Sequence, residues 1–360
     1  IHGRASFASD KLVNVRRVNG NVEQFSCDHV VIASGSKPRI LDHVPVDHES
    51  IYDSDSILSL AYLPQSMVVL GGGVIACEYA SIFSLLGVRV TLVDRYSQPL
   101  GFLDPDLTEG FLRAFEAGGG TFIGDAQVSA VQFDGVSKVE TQFADGTVIK
   151  ADKALCAMGR VSQLEGLQVE RAGVRVNDRQ LVEVNDAGQT SVPHIYAAGD
   201  VVGPPSLASA SMEQGRRVAC DFLGIDPGSQ GEWIPTGIYA VPELACVGLT
   251  EAQAADEFGA VVVGYAQFRE IARGHIANAQ TGMLKLVVSP DRIVRGVHIL
   301  GAQSTDLIHI GQMGLIQDAS VDVYIENVFN FPTYAECYRV AALQAAGKFS
   351  ASAVESDKVA

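Results

Sequence analysis

The chain has 360 residues, of which 47% are hydrophobic and 36 are glycine, and its formal net charge is −16 at pH 7. This length and composition are typical of a soluble α/β protein of about two or three domains, and they argue against a disordered or fibrous chain. The excess negative charge repels phosphate-rich polymers and anionic membrane surfaces, so we expect no nucleic-acid partner and no membrane association.

Two further features bear on location. The charge-free stretch 56–77 is long enough to raise the question of a membrane span, but Pro64 and three consecutive glycines interrupt it, so a buried strand with its turns is predicted instead. The cysteines lack CxxC or metal-type spacing, which predicts reduced thiols in a cytosolic protein and no metal site. These cysteines are Cys27, Cys77, Cys156, Cys220, Cys246 and Cys337.

In chain order, alternation over residues 12–18 and 24–25 around Asn19-Gly20 predicts a β-hairpin. Residues 29–33 form a predicted buried strand that ends in a glycine turn at 34–38. The polar segment 41–50 is predicted to be a linker.

The most informative segment, residues 67–94, has the order strand, glycine turn, helix, strand and acid. This order is typical of dinucleotide binding. Gly71 allows the tight turn, Gly73 lets the pyrophosphate approach the backbone, and Ala76 lets the helix pack against the strand. Asp94 is placed to accept hydrogen bonds from ribose hydroxyls. The alternative is a glycine turn in an ordinary βαβ unit.

Downstream, the pattern predicts a helix at 106–117, an antiparallel meander over 121–150 and a buried strand at 153–158. Strands at 183–185 and 194–198 and a helix at 209–223 follow. From about residue 232, antiparallel strands alternate with helices near 250–258, 303–318 and 333–347, which predicts an α+β module. Residues 349–360 are predicted to be a disordered polar tail.

Five segments together resemble the pyridine nucleotide–disulfide oxidoreductase family of flavoproteins. They are 31–35, the glycine fingerprint, 157–160, 194–200 and 331–336. Within that family the chain is most similar to the soluble (Si-specific) pyridine nucleotide transhydrogenases, through segments 51–60, 77–83, 205–210, 234–239, 329–332 and 335–343. The resemblance runs from near residue 5 to about residue 348.

The resemblance implies an α/β two-dinucleotide-binding flavoprotein fold, with a Rossmann-like NAD(P) domain, a partial FAD domain and an α+β dimerisation domain. Residues 1–60 would be the rear part of the FAD domain, and 186–230 its returning part. Residues 61–185 would bind NAD(P), and 231–348 would pair two subunits into a homodimer or a higher homo-oligomer. The family's first glycine fingerprint and its redox segment would precede residue 1, so the expectation is an N-terminally truncated chain that retains FAD poorly.

The implied activity is transfer of hydride between NADPH and NAD⁺ through flavin N5 by a ping-pong mechanism, with FAD, NAD and NADP as cofactors. By the same resemblance, Glu78 is a catalytic residue near the nicotinamide. Asp200 and the backbone at Ala208 contact the flavin. Gly35 lies beside the flavin adenosine, and Gly159 contacts the nicotinamide nucleotide. An ordinary helix acid at Glu78 and a simple turn aspartate at Asp200 are the alternatives.

The Asp94-Arg95 pair bears on cofactor choice. An acid at this position favours NAD, because it binds both ribose hydroxyls and repels a 2′-phosphate, whereas an arginine clasps that phosphate. Having both suits an enzyme that accepts NAD and NADP. In the alternative interpretation, Arg95 only points into solvent.

At Phe331 the chain departs from the dithiol members of the family, which have a histidine there, paired with a glutamate five residues later. Glu336 is kept as the second candidate catalytic residue, but phenylalanine cannot take a proton, so thiol chemistry would lack its base. Glu336 is then a structural or interface acid.

Three functions remain open at this stage. The favoured one is a transhydrogenase. The others are a dihydrolipoamide dehydrogenase-like disulfide reductase and, from a different class, an inactive nucleotide-binding and dimerisation fragment.

Overall fold

The computed structural model describes residues 1–229, 231–279 and 281–359, with side chains as far as Phe349. The strands are β1 (Arg4–Phe7), β2 (Leu12–Arg16), β3 (Val22–Ser26), β4 (Val30–Ile32), β5 (Ser36–Pro38), β6 (Ile51–Asp53), β7 (Ser66–Leu70), β8 (Arg89–Val93), β9 (Thr121–Ile123), β10 (Val128–Phe133), β11 (Val139–Phe143), β12 (Val148–Ala151), β13 (Lys153–Cys156), β14 (Arg160–Ser162), β15 (Ile195–Ala197), β16 (Thr236–Ile238), β17 (Leu244–Gly248), β18 (Val262–Gln267), β19 (Met283–Val288) and β20 (Val294–Leu300). The α-helices are α1 (Val74–Leu85), α2 (Pro105–Ala117), α3 (Ala208–Leu223), α4 (Glu251–Phe258), α5 (Ala272–Ile276), α6 (Ser304–Ile316), α7 (Asp322–Glu326) and α8 (Glu336–Val359). Short 3₁₀ helices span Ser56–Ser59, Val169–Ala172, Asp200–Val202 and Phe268–Glu270.

The chain divides into two compact units. The first unit is Ile1–Arg39 with Gly159–Gln230, and the second unit is Ile40–Met158 with Gly231–Ala360. The predicted domain boundaries at 60/61 and 185/186 stay predictions. β6 is the edge strand of the second unit's parallel sheet, and β14 pairs with β5 in the first unit.

A five-stranded parallel sheet in the order β6-β13-β7-β8-β9 forms one part of the second unit. Residues 67–70 of its central strand β7 are apolar and buried on both sides, as is usual for parallel sheets. Met67 and Val69 face a core shared with α1 and α2, while Val68 and Leu70 face a core shared with β10 and β11.

The predicted meander is confirmed for β10-β11-β12, which form a three-stranded antiparallel sheet. The assignment of the preceding strand, Thr121–Ile123, was wrong. This strand pairs in parallel with β8 at the edge of the large sheet, because the helix α2 returns the chain to that edge.

The α+β module at the end of the chain is confirmed. Its antiparallel sheet has the order β16-β17-β20-β19-β18, and it includes β17, which the sequence pattern did not reveal. One face of this sheet packs against α6 and α8, and residues such as Leu244, Met283 and Leu300 join the core that contains α2.

The first unit contains the hairpin predicted near the start of the chain, extended by β1 into a three-stranded antiparallel sheet. β4 and β15 pair in parallel. Residues 183–185 are not a strand. The Asn185 side chain accepts the backbone N–H groups of Ala187 and Gln189, which stabilises a turn instead.

Two other expectations concern helices. The disordered tail predicted from residue 349 is not what the structure assigns, because α8 continues to Val359. No helix within the described part of the chain combines the length and the apolar character needed to cross a membrane.

Candidate nucleotide sites

The fingerprint of the second unit is a tight turn between β7 and α1. Gly71 has φ +107°, and its N–H donates to the carbonyl oxygen of Val93 at 2.8 Å. A Cβ at Gly71 would lie 2.6 Å from the carbonyl oxygen of Ala157. This position therefore requires glycine for both its dihedral angle and its close approach to β13's continuation. Ala76 is fully buried in the core, as expected for the third small residue.

The N-terminus of α1 is open to a ligand. Gly73 is its N-cap, makes no side-chain cap bond, is exposed, and has open space where a Cβ would stand. The first helical hydrogen bond runs from the N–H of Cys77 to the carbonyl of Gly73 at 3.0 Å, so the earlier amides of the first turn point out of the helix. This end of a twelve-residue helix fits a pyrophosphate.

Asp94 lies at the end of β8, directly against the fingerprint turn. A Cβ on Gly72 would be 2.0 Å from Asp94 Oδ2, so the middle glycine makes room for this carboxylate, a role that the sequence reasoning missed. Burial raises the pKa of Asp94, and this outweighs the lowering by hydrogen bonds from the Arg95 and Tyr96 backbones and by the Arg95 charge. The Asp94 carboxylate accepts the backbone N–H of Arg95 at 2.7 Å.

Glu78 has a protein partner. Its Oε1 accepts the backbone N–H of Tyr239 at 2.8 Å, and one turn further along α1 the Ser81 hydroxyl accepts the N–H of Val241 at 3.1 Å. These bonds tie α1 to the 239–241 loop of the same unit. A link between Glu78 and this loop was not predicted, because 161 residues separate the partners.

Gly35 and Gly159 both lie in the first unit. Gly35 has φ +71° and accepts the N–H of Gln163 at 2.9 Å. Gly159 has φ +101° and accepts the N–H of Arg39 at 3.0 Å. The structure therefore places Gly159 in a different unit from the fingerprint glycines.

A polar centre in the first unit surrounds Asp200. Ser36 Oγ donates to Asp200 Oδ2 at 2.6 Å and accepts a hydrogen bond from Arg160 Nε at 2.8 Å. Arg160 Nη2 also donates to the Ser36 carbonyl at 2.8 Å. Ser36 and Arg160 flank two glycines that the sequence did single out, but nothing in the local pattern indicated that they meet.

Ala208 is the first residue of α3. The N-cap Leu207 is extended and contributes no side-chain cap, so the start of this 16-residue helix offers backbone N–H groups to a ligand. Gly199, which directly precedes Asp200, donates its N–H to Oε1 of Gln214 in α3 at 2.8 Å. Asp200 and the α3 N-terminus thus belong to one unit with polar groups that fit a flavin ribityl and its phosphate.

Glu336 and Phe331 flank a turn at the start of α8. Glu336 Oε2 accepts the N–H of Thr333 at 3.4 Å, which gives this carboxylate a local structural partner. The Phe331 side chain is 68% exposed. All six cysteines are free thiols. Burial raises the pKa of Cys337 to about 12 and that of Cys246 to about 11, so these two thiols are protonated and unreactive near neutral pH.

A buried charge cluster was missed by the sequence analysis. Lys285 Nζ lies 2.9 Å from Asp104 Oδ1 and 2.7 Å from oxygens of both Asp106 and Glu251. The Lys285 and Asp104 side chains are 2% and 0% exposed. Burial lowers the pKa of Lys285, but the hydrogen bonds to the three carboxylates raise it by a larger amount, so the net pKa is raised. The cluster joins α2 to the C-terminal sheet within the second unit.

Together, the doubly covered parallel sheet, the open glycine turn and the acid beside it define an α/β dinucleotide-binding protein with a C-terminal α+β module. A family model described as pyridine nucleotide-disulphide oxidoreductase matches residues 2–215, and its dimerisation domain matches residues 234–342. The chain belongs to the pyridine nucleotide-disulphide oxidoreductase family, an oxidoreductase family that uses FAD and NAD(P)H. The predicted family and fold class are confirmed, and the chain carries the family's dimerisation domain.

Several named proteins are similar to this chain in sequence or in structure. A soluble pyridine nucleotide transhydrogenase of Pseudomonas putida is 39% identical over 350 residues, which cover 94% of this chain and 74% of the relative. A soluble pyridine nucleotide transhydrogenase of Mycobacterium tuberculosis is 41% identical over 325 residues, covering 90% and 69%. Among solved structures, the HOCl-induced flavoprotein disulfide reductase RclA of Escherichia coli matches with TM-score 0.89 and 25% identity, covering 95% of this chain and 78% of that one. LpdA of Mycobacterium tuberculosis matches with TM-score 0.86 and 25% identity, covering 95% and 76%.

Proposed function

We propose that this chain transfers hydride between NADPH and NAD⁺ by a ping-pong mechanism that uses FAD and no redox disulfide. In this proposal the first unit holds the FAD and residues 40–158 of the second unit hold the nicotinamide nucleotide. Residues 231–348 pair two copies of the chain, and the proposed location is the cytoplasm, which free thiols support.

The observation that carries the proposal is Phe331. Thiol–disulfide exchange needs a base to handle the thiol proton. A phenyl ring cannot serve, and Glu336, five residues later, is bonded to the Thr333 backbone. Hydride transfer between two nicotinamides moves no proton to or from sulfur, so it does not need that base. The transhydrogenase names of the relatives support the same conclusion.

When bound, FAD supplies at N5 the atom that accepts hydride from one nicotinamide and returns it to another. The chain's own residues bind and orient. Asp200, to which Ser36 Oγ donates a hydrogen bond, would accept hydrogen bonds from flavin hydroxyls, and the backbone N–H groups at Ala208 would donate to the flavin. The open end of α1 binds the nicotinamide nucleotide's pyrophosphate, with Gly73 at its entrance.

We assign Glu78 the role of orienting the nicotinamide. Its Oε1 is bonded to the Tyr239 N–H, which fixes the carboxylate's position while its other lone pairs remain able to accept a hydrogen bond from the carboxamide. At the far end of the nucleotide, Asp94 binds the ribose hydroxyls of NAD and Arg95 neutralises the 2′-phosphate of NADP.

A disulfide reductase is the second candidate, because a solved structure with the same fold carries that name. The two activities separate in one assay. Protein incubated with FAD and desalted is mixed with NADPH and thio-NAD⁺, and in parallel with NADH and lipoamide or NADPH and oxidised glutathione. We expect reduction of thio-NAD⁺ and no disulfide turnover. Lipoamide turnover at a comparable rate would overturn the proposal.

A protein that retains no flavin and shows no turnover would instead support the third hypothesis, a nucleotide-binding and dimerisation module. The dual use of cofactors has its own test. Replacing Arg95 by alanine should raise the Kd for NADPH about ten-fold and leave that for NADH nearly unchanged. An equal effect on both would remove the argument from Asp94-Arg95.

A further inference from the structure

The residue after Arg95 is an exposed tyrosine that contacts the arginine side chain. The Arg95 Cζ lies 4.7 Å from the centroid of the Tyr96 ring, and Arg95 Nη2 donates a hydrogen bond to the Tyr96 hydroxyl at 2.6 Å. The Tyr96 side chain is 58% exposed, so burial in the core does not account for its position. Both contacts hold the guanidinium against the ring.

The Tyr96 backbone is anchored on both sides. Its carbonyl accepts the N–H of Asp125 at 3.2 Å, and the carboxylate of Asp94 accepts the N–H of Arg95 at 2.7 Å. These two hydrogen bonds position the backbone at the end of β8 and in the turn after it.

An exposed arginine samples many rotamers, and ordering it for a ligand costs entropy. A guanidinium carries five N–H donors. The hydrogen bond to Tyr96 uses one of them, which leaves donors for a phosphate. A guanidinium already held near Asp94 would bind a 2′-phosphate with less loss of entropy than a freely moving one.

We propose that Tyr96 is a positioning residue for NADP selectivity, which holds the Arg95 guanidinium beside Asp94 so that it meets the 2′-phosphate of NADP(H). The inference rests on the proposed use of both cofactors. It predicts that Tyr96 matters for nucleotides that carry the 2′-phosphate and not for those with a free 2′-hydroxyl, which Asp94 binds without Arg95.

The test measures binding of 2′,5′-ADP and of 5′-ADP by calorimetry, which needs neither flavin nor turnover. The ionic strength is kept constant because salt screens the attraction between the guanidinium and the phosphate. The variants are Tyr96→Leu, Tyr96→Phe, Arg95→Ala and the double variant. Tyr62→Leu is the matched control, because Tyr62 is an exposed tyrosine of the same unit, 64% exposed, with the Lys153 ammonium 5.4 Å from its ring centroid.

We expect Tyr96→Leu to weaken 2′,5′-ADP about five-fold, and Tyr96→Phe, which keeps the ring, about two-fold. Binding of 5′-ADP should not change in either variant, and Tyr62→Leu should change neither ligand. In the Arg95→Ala background, Tyr96→Leu should have no further effect, because a residue that acts through Arg95 loses its role with it.

Four results would overturn the inference. Tighter binding of 2′,5′-ADP by Tyr96→Leu would show that the tyrosine withholds Arg95 from the ligand. Equal loss for both ligands would indicate a structural role. If Arg95→Ala weakens 2′,5′-ADP and Tyr96→Leu does not, the positioning role fails while the dual-cofactor proposal stands. No effect of Arg95→Ala on 2′,5′-ADP would remove both.

Discussion

The two units build their polar sites in opposite ways. In the second unit the turn, the helix end and the acid come from one continuous stretch, from Ser66 to Arg95, and the binding groups are mostly backbone atoms. In the first unit the polar centre consists of the side chains of Ser36, Arg160 and Asp200. Ser36 is more than 120 residues away from each of the other two along the chain. The first kind of site depends on glycine geometry, and the second on a hydrogen-bond network.

This difference predicts which substitutions are harmful. A backbone site fails when a Cβ is added, because the chain has no room to adjust. A side-chain site fails when one partner is removed and the others remain buried without it. The second unit also contains a side-chain network of this second kind, at Lys285, which allows both modes to be compared within one unit.

The largest effect is expected at that network. Lys285→Met would leave the fully buried Asp104 without its cation, at a cost of about 3–5 kcal/mol in the free energy of unfolding. Urea denaturation measures this cost. The control is Lys150→Met, which removes an exposed ion pair with Glu140 and should change little. Similar values for the two variants would contradict the distinction between buried and exposed networks.

Gly71→Ala tests the backbone site. The added Cβ would face the Ala157 carbonyl at 2.6 Å in a left-handed conformation, so we expect a loss of about 2–3 kcal/mol and weakened binding of NADH, measured by nucleotide fluorescence. Gly87→Ala is the matched control, since Gly87 has φ +87° with nothing within 4 Å of its Cβ position. It should cost about 1 kcal/mol and leave binding intact. If the two glycines respond alike, the close approach at Gly71 has no importance.

Ser36→Ala tests the side-chain site of the first unit. Its hydroxyl both donates to Asp200 and accepts from Arg160, so its removal should cost about 1–2 kcal/mol in unfolding free energy. It should also weaken FAD binding, measured by quenching of flavin fluorescence on titration, and leave NADH binding unchanged. Ser36→Thr keeps the hydroxyl and should retain most of both. A loss of NADH binding in Ser36→Ala would break the separation between the two sites.

The smallest effect concerns pH. Burial raises the pKa of Asp104. This is outweighed by the hydrogen bonds from the Lys285 ammonium and the Glu251 N–H and by the charges of His298 and Lys285, so the net pKa is lowered. A lowered acid pKa contributes stability above the unfolded value of about 3.9, and the contribution is lost as pH falls through the folded pKa. The pKa of Lys285 is raised, so its ion pairs contribute stability that is fully present below the unfolded value of about 10.4. That stability is lost as pH rises through the folded pKa.

In Lys285→Met the buried Asp104 carboxylate loses its cation, so its folded pKa should rise. The difference in unfolding free energy between the native chain and Lys285→Met should therefore shrink as pH falls below that raised pKa, and continue to shrink through about pH 4. Urea titrations at several pH values measure it. A difference that stays constant from about pH 8 to about pH 3 would contradict the assignment to the Asp104 carboxylate.

Segments with a local pattern were predicted well. The apolar run of β7, the glycines after it, the helix α1 and the acid at Asp94 follow from neighbouring residues, since turn geometry and strand burial leave marks within a few positions. The same holds for the hairpin at Asn19-Gly20 and for α4, whose Thr250 and Gln253 form a capping box.

Strand partners were harder to predict. The strands Thr121–Ile123 and Ile51–Asp53 are too short for their composition to distinguish a meander, a linker and a sheet edge. Only the pairing of the first with β8 and of the second with β13 assigns them to the parallel sheet. A short strand carries no local record of its partner.

The sequence by itself determined the family, the fold class and the dinucleotide fingerprint, because these depend on residue types at fixed short spacings. Tertiary structure alone decided that Ser36 and Arg160 surround Asp200, that Glu78 bonds the Tyr239 backbone and that Lys285 meets three carboxylates. Each of these contacts joins residues that are far apart along the chain. Their energies come from burial and distance, which exist only once the sheets have formed.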